Sequence, residues 1–198
     1  VDRNGHTWAM SFQRGKPGVF DGPGPSAGFT PGSGLRKTGR TAKGVTGTRV
    51  TYWPDRQIFL KQAQLSAEQL LDRARQTSFL VPGLRITVND DRGEEPVETT
   101  FQHEGGISEF VDFLSVGEPI TDVLRLQGSD HFVETVPELD ENGAMTPTDV
   151  DRRLDVDVAV RWSNNFDTVE RSFVNIIATP KGGTHVQGFE RGLVRAFA

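Results

Sequence analysis

The chain contains no cysteine, which excludes a disulfide framework, a thiolate nucleophile and a cysteine-ligated zinc. The absence fits a reducing compartment. No apolar run approaches the ~18 residues of a membrane span, and the opening VDRNGHTW lacks the basic-then-apolar pattern of a secretion signal. A basic excess is missing too. Lys and Arg number 22 against 27 Asp and Glu, a net charge of −5, whereas a self-contained nucleic-acid binder is usually basic. Any DNA contact is therefore expected through local patches or through partners. GxSxG, Walker A and GxGxxG motifs are all absent. The four histidines, His6, His103, His131 and His185, show no HExxH spacing and read as strand-surface or turn residues. The chain also has no initiator methionine and stops on the apolar GLVRAFA. Both ends read as cut, so an internal fragment is expected.

What is present is an ordinary globular pattern of 198 residues, enough for one or two small domains. Asn4-Gly5 is a hairpin signal, because both turn positions need positive φ, and residues 1–14 read as two antiparallel strands. Residues 15–44, rich in Gly, Pro, Ser and Thr, read as one long loop. Thr46 to Trp53 reads as a strand with Thr48, Val50 and Tyr52 on one face. Ser66-Ala67-Glu68-Gln69 is a capping-box pattern that opens a helix, and Pro82-Gly83 ends it. Leu84 to Asn89 and Val97 to His103 follow as two strands around a polar turn. Gly105-Gly106 opens a short helix with Ile107, Phe110, Val111 and Leu114 on one side. Val123 to Gln127 and Phe132 to Val136 are weaker strands, and residues 137–153 read as an exposed acidic insertion. Leu154, Val156, Val158, Val160 and Trp162 alternate with polar residues, as a half-buried strand does, and Arg171 to Ile177 is expected to pair with it. Gly182-Gly183-Thr184-His185 opens a last helix. Val186, Phe189, Leu193 and Phe197 form its apolar stripe, opposite Arg191 and Arg195. The class is α+β with mostly antiparallel sheets, divided near Glu104-Gly105.

Residue chemistry alone offers few sites. Asp140-Glu141-Asn142-Gly143 lacks the ligand spacing and closing Glu of a calcium loop. Asp149, Asp151, Asp155 and Asp157 read as solvated acidic surface. Arg36, Lys37, Arg40 and Lys43 are the basic cluster of the glycine-rich stretch and read first as part of a flexible loop, with contact to DNA phosphates as the alternative. Arg191 and Arg195 read first as a solvated helix face, with DNA contact as the alternative.

Four strings occur in order: TGTRVTYWPD, QTSFLVPGLRITVNDDR, FQHEGGISEFVDFL and SFVNIIATPKGGTHVQGFERGLVRA. With the Arg-x-Gly of Arg3-Asn4-Gly5, they resemble the B subunits of bacterial type II DNA topoisomerases, gyrase and topoisomerase IV. QTSFLVPGL looks more like an actinobacterial topoisomerase IV-type subunit. The resemblance spans nearly the whole chain except 15–44 and 128–153, which look like lineage-specific insertions. It implies that residues 1–104 are the C-terminal part of a GHKL ATPase sandwich. Residues 105–198 would be the first part of a transducer similar to the second domain of ribosomal protein S5.

The resemblance also carries over sites. Thr48 matches a threonine that helps hold adenine, Val50 an apolar residue of the adenine pocket, and Arg3 an arginine at the pocket mouth where aminocoumarin inhibitors bind. Arg191 and Arg195 would face the DNA cavity. The parent protein would use ATP and Mg2+, pair with an A subunit, form a homodimer through its B subunits, act on DNA and lie in the cytoplasm with the nucleoid, away from membranes. Its general-base Glu, magnesium-binding Asn, adenine-binding Asp, phosphate lid and transducer lysine would all fall outside residues 1–198. The chain alone is therefore expected to bind no cofactor, hold no metal and hydrolyse no ATP. Competing readings are a non-catalytic transducer-like interaction module, another GHKL relative such as a mismatch-repair or chaperone ATPase, and a free-standing S5-like nucleic-acid binder.

Overall fold

The computed structural model describes residues 1–198 except Ser33, Lys61, Gln62, Asp140 and Asn142. The calcium-loop comparison at 140–143 thus rests partly on positions outside the described residues. The chain divides into two compact units, Val1–Gln64 and Leu65–Ala198.

In the first unit, β1 (Asp2–Arg3) and β2 (His6–Ala9) form the expected hairpin. Asn4 and Gly5 take φ of 54° and 77°, as a type I′ turn requires. The glycine-rich stretch departs from the expected loop. It carries β4 (Lys16–Phe20) and β5 (Phe29–Pro31), which with β3 (Ser11–Gln13) form a three-stranded meander. It also carries β6 (Arg36–Arg40), which joins the first hairpin in the order β1-β2-β6. Arg14 and Gly15, at φ 50° and 79°, make a second tight turn between β3 and β4. Strands of three to five residues, broken by Gly and Pro, carry no period long enough to read. Gly18 is needed here for space, since a Cβ would lie 2.5 Å from the Phe29 ring.

The expected strand from Thr46 to Trp53 does not form. Gly47 alone bridges to Asp2 through two backbone hydrogen bonds of 2.9 and 3.1 Å. Beyond it Val50 is 79% exposed. Alternation in sequence makes a strand only where a partner ladder and a buried face exist, and the described residues give this segment neither.

The second unit is built on α1 (Ala67–Leu80), capped by the Ser66 hydroxyl, which accepts from the Gln69 backbone N–H at 3.2 Å. The hairpin β7 (Ile86–Asp90) and β8 (Val97–Phe101) follows, then α2 (Ile107–Leu114). Phe79 is buried to 1% exposure, with Ser78, Ala74, Phe101 and Phe110 also buried in this unit. Burying one such ring stabilises by about 1.5–3 kcal/mol.

Next come β9 (Leu124–Leu139) and β10 (Met145–Val160), paired without a break from Leu124–Val160 to Leu139–Met145. Residues 137–139 and 145–153 of the acidic stretch belong to the distal part of this ladder and are largely exposed, as expected. Thr and Val at alternate positions sustain the pairing. One expectation fails here. Arg171 to Ile177 does not pair with β10. It folds on itself as β11 (Phe173–Val174) and β12 (Ile177–Ala178), because the left-handed Asn175 at φ 55° turns the chain back after Val174. The alternation itself is real. Leu154, Val156 and Val158 share a face with Leu124, Leu126 and Phe132, while Asp155 and Asp157 lie opposite with Arg153 and Arg125. Yet Leu154 and Val156 remain 49% and 47% exposed, so only the base of the strand is partly covered. The chain ends in α3 (Thr184–Phe197), whose Val186, Phe189 and Leu193 lie on its less exposed side and whose Phe197 is exposed.

The carboxylates make one prediction. Hydrogen bonds from the Arg92 guanidinium hold Asp90 down at about 2. His103 first, and the Gly105 backbone N–H second, hold Glu109 below its ordinary range. A carboxylate depressed in the folded state stabilises it above the unfolded value and loses that contribution as pH falls through the folded value. The melting temperature should therefore be flat above about pH 5 and fall between about pH 4 and 2, with Asp90→Asn flattening part of that fall. Thermal melts of both proteins across this range check it.

Candidate functional site

Three places carry the residues singled out above. In the first, Arg3 lies exposed at the end of β1 and lines a shallow hollow with Val1, Asn4, Trp8 and Leu35. The Asp2–Gly47 bridge brings Thr48 next to β1 in the backbone. Thr48 and Val50 are both exposed, and neither lines the hollow beside Arg3. The described residues thus supply an arginine and a nearby hydroxyl but no enclosed apolar slot for a purine. Nor do they hold three or more His, Asp or Glu side chains grouped to bind a metal. These residues do not fit a nucleotide by themselves, and no catalytic step follows from them.

The second place is the junction of β8 and α2, which the sequence reading missed as a cluster. The His103 ring stacks on Phe79 at 3.6 Å between centroids, and its Nδ1 is 2.7 Å from Glu109 Oε1. Glu109 Oε2 accepts the Gly105 N–H at 3.0 Å. The carboxylate sits in the first turn of α2, where the helix dipole favours negative charge. Arg75 lies over Phe101 and Phe113 at 5.3 and 5.4 Å. The signal was available as His103 and Glu109 flanking the Gly105-Gly106 break, but it reads only once Phe79 is known to lie beneath. These contacts tie α2 to β8 and α1.

The third is α3, where Arg191 and Arg195 lie one turn apart and, with Glu190 and Val194, line a shallow surface depression. No ion pair holds either arginine among the described residues. No helix of the described residues is long and apolar enough to cross a membrane.

Comparison with known proteins bears on the chain as a whole. Residues 106–198 match the family model for DNA gyrase B. All 198 residues align at 31% identity with the B subunit of DNA topoisomerase 4 from Staphylococcus aureus (strain MW2), covering 24% of that protein. The B subunit of DNA topoisomerase 4 from Staphylococcus epidermidis (strain ATCC 12228 / FDA PCI 1200) matches equally, at 31% over the whole chain and 24% of its own length. The chain thus spans about a quarter of the length of the curated relatives it matches. One end-to-end alignment, with the gyrase B match over its second half, places the chain in the B-subunit family of bacterial type II DNA topoisomerases.

Proposed function

We propose that this chain is part of the ATP-operated gate of a type II topoisomerase, comprising the end of the GHKL ATPase domain (1–104) and the start of the S5-like transducer (105–198). The observation that carries the reading is the 31% identity over all 198 residues with the B subunit of topoisomerase 4. The gyrase B match begins at residue 106, beside the Glu104-Gly105 boundary, which supports the same division. In the complete protein, ATP with Mg2+ closes two B subunits. The transducer relays closure to an A subunit, and one DNA duplex passes through another. Thr48 and Val50 contribute to the adenine pocket and Arg3 to its mouth, completed by groups from elsewhere in the protein. Arg191 and Arg195 face the DNA. The protein works in the cytoplasm with the nucleoid.

Calorimetry with a non-hydrolysable ATP analogue tests this on the 198-residue chain and on a version extended at both ends. Binding by the extended protein alone is the expected result, with no ATP hydrolysis by the 198 residues, because phosphoryl transfer depends on charges positioned around the phosphates. Tight binding by the short chain would overturn the assignment of the missing groups. Absence of ATP-dependent strand passage by the complete B subunit with its A subunit would overturn the function.

A further inference from the structure

The overall charge of −5 hides a division that follows the two units. Residues 1–64 carry ten Lys and Arg against three Asp and Glu, a formal +7. Residues 65–198 carry 12 against 24, a formal −12. A small unit with so large an excess is the electrostatic footprint of a polyanion binder, whatever the acidity of the rest of the chain.

Part of the positive charge, three of the ten cations, lies on one face of the β1-β2-β6 sheet, with a fourth beside its first turn. Directly paired residues on neighbouring strands project to the same side, and Arg3 pairs with His6, which pairs with Arg40. These three form one cross-strand row, its members ~4.8 Å apart. A bulge between Thr7 and Trp8 shifts the register so that Trp8 faces Lys37. Lys37 therefore lies on the same face as Arg40, in the next row. Lys43 lies beside the Asn4-Gly5 turn, its Cγ 3.4 Å from where a Gly5 Cβ would be.

None of the three acids of residues 1–64 pairs with these cations. Asp2 lies on the opposite side of the sheet, taking the Thr7 hydroxyl at 2.6 Å. Asp55 is held by Arg14, and Asp21 lies beside Gly28 at the end of the other sheet. Arg3, Lys37, Arg40 and Lys43 are exposed, and none forms an ion pair among the described residues.

We propose that this face of the β1-β2-β6 sheet, carrying Lys37 and Arg40 with Lys43 beside its turn, is a docking surface for the phosphate backbone of duplex DNA. The choice of duplex DNA as the polyanion rests on the topoisomerase reading; the surface rests on the charge division and the strand register. Contact is to phosphates and not to bases, since a flat sheet face of flexible cations holds a backbone without reading sequence.

The test is fluorescence anisotropy of a labelled duplex two helical turns long, titrated with the 198-residue chain across about 50–200 mM salt. Binding should weaken steeply with salt and be indifferent to sequence. Removing two phosphate contacts with Lys37→Ala and Arg40→Ala should lower the slope of log K against log salt by roughly 1.8 and weaken binding at least ~10-fold at the lowest salt. Arg14→Ala with Lys16→Ala, which removes the same charge from the β3–β4 hairpin of the other sheet of this unit, should leave the slope unchanged. The exchange Lys37→Arg with Arg40→Lys should restore it, which separates lost charge from lost folding. Equal losses from both alanine pairs would reduce the effect to diffuse charge and overturn the proposal. So would tighter binding of a single strand of the same length, or a salt-dependent self-association of the chain in place of DNA binding. Strand passage by the complete enzyme is scored separately, so this surface can fail while the topoisomerase reading stands.

Discussion

Phe79→Ala should cost the Leu65–Ala198 unit about 3–5 kcal/mol, as large-to-small changes of buried aromatics do. The size follows from how little core the unit has. Phe79 is 1% exposed, and few other side chains approach that burial. Its ring stacks on His103 at 3.6 Å and Phe110 at 4.9 Å, and meets Phe113 at 5.4 Å. Phe110 in turn meets Phe173 at 6.2 Å. Removing Phe79 strips the common partner from α1, β8 and α2 together, and the cavity cannot close without dragging the His103–Glu109 pair out of line. Against a typical domain stability of 5–15 kcal/mol, that loss consumes much of the margin. Urea titration followed by tryptophan fluorescence, for wild type and variant, measures it. Phe79→Leu should fall between the two. A loss below about 1 kcal/mol for the alanine variant would mean that the stack is not the organising core.

What the sequence revealed was what chemistry writes locally. The Asn4-Gly5 turn, the Ser66 cap, the Pro82-Gly83 stop and the Gly105-Gly106 opening each depend on a residue whose backbone preference is its own. All four appear in the structure. What was misread depends on partners. Thr46 to Trp53 alternates like a strand but has only the Gly47 bridge to pair with. The acidic, turn-rich look of 137–153 hides a ladder, and only the register of β9 with β10 shows that 137–139 and 145–153 are strand. The short strands of 15–44 are legible mainly through Arg14-Gly15, a turn signal hidden among many glycines. The basic cluster Arg36, Lys37, Arg40 and Lys43 was legible as a string, but the excess around it was not. A net charge summed over 198 residues averages +7 with −12, and only a division into units separates them. The His103–Glu109 pair is six residues apart across a helix opening, a spacing that no periodic template rewards.

The same opening makes the second large prediction. Gly106 is the N-cap of α2 at φ 64° and ψ −141°, a region that only glycine occupies without strain. A side chain there meets a second obstacle, since a Cβ would lie 3.2 Å from Pro82 Cγ. The proline belongs to the turn that ends α1, so it can yield only by shifting that turn. Gly106→Val should therefore cost about 1–3 kcal/mol in backbone strain alone, with the proline contact adding to it. The alternative open to the chain is to rotate the 105–106 peptide into an ordinary conformation. That rotation would break the Gly105 N–H bond to Glu109 and the first helical bond, from the Phe110 N–H to the Gly106 carbonyl at 3.1 Å. Either route loosens α2 from the Phe79 cluster. Gly128→Ala is the matched control, because a Cβ there meets nothing within 4 Å and the backbone is not left-handed. In mid-strand it should be neutral or slightly stabilising, by up to about 0.5–1 kcal/mol. Hydrogen exchange of the α2 amides, read with the melting temperature, distinguishes the two. Gly106→Val should expose the amides of Phe110 and Val111 while Gly128→Ala leaves them protected. Equal protection in both variants would show that the glycine conformation does not hold the helix in place.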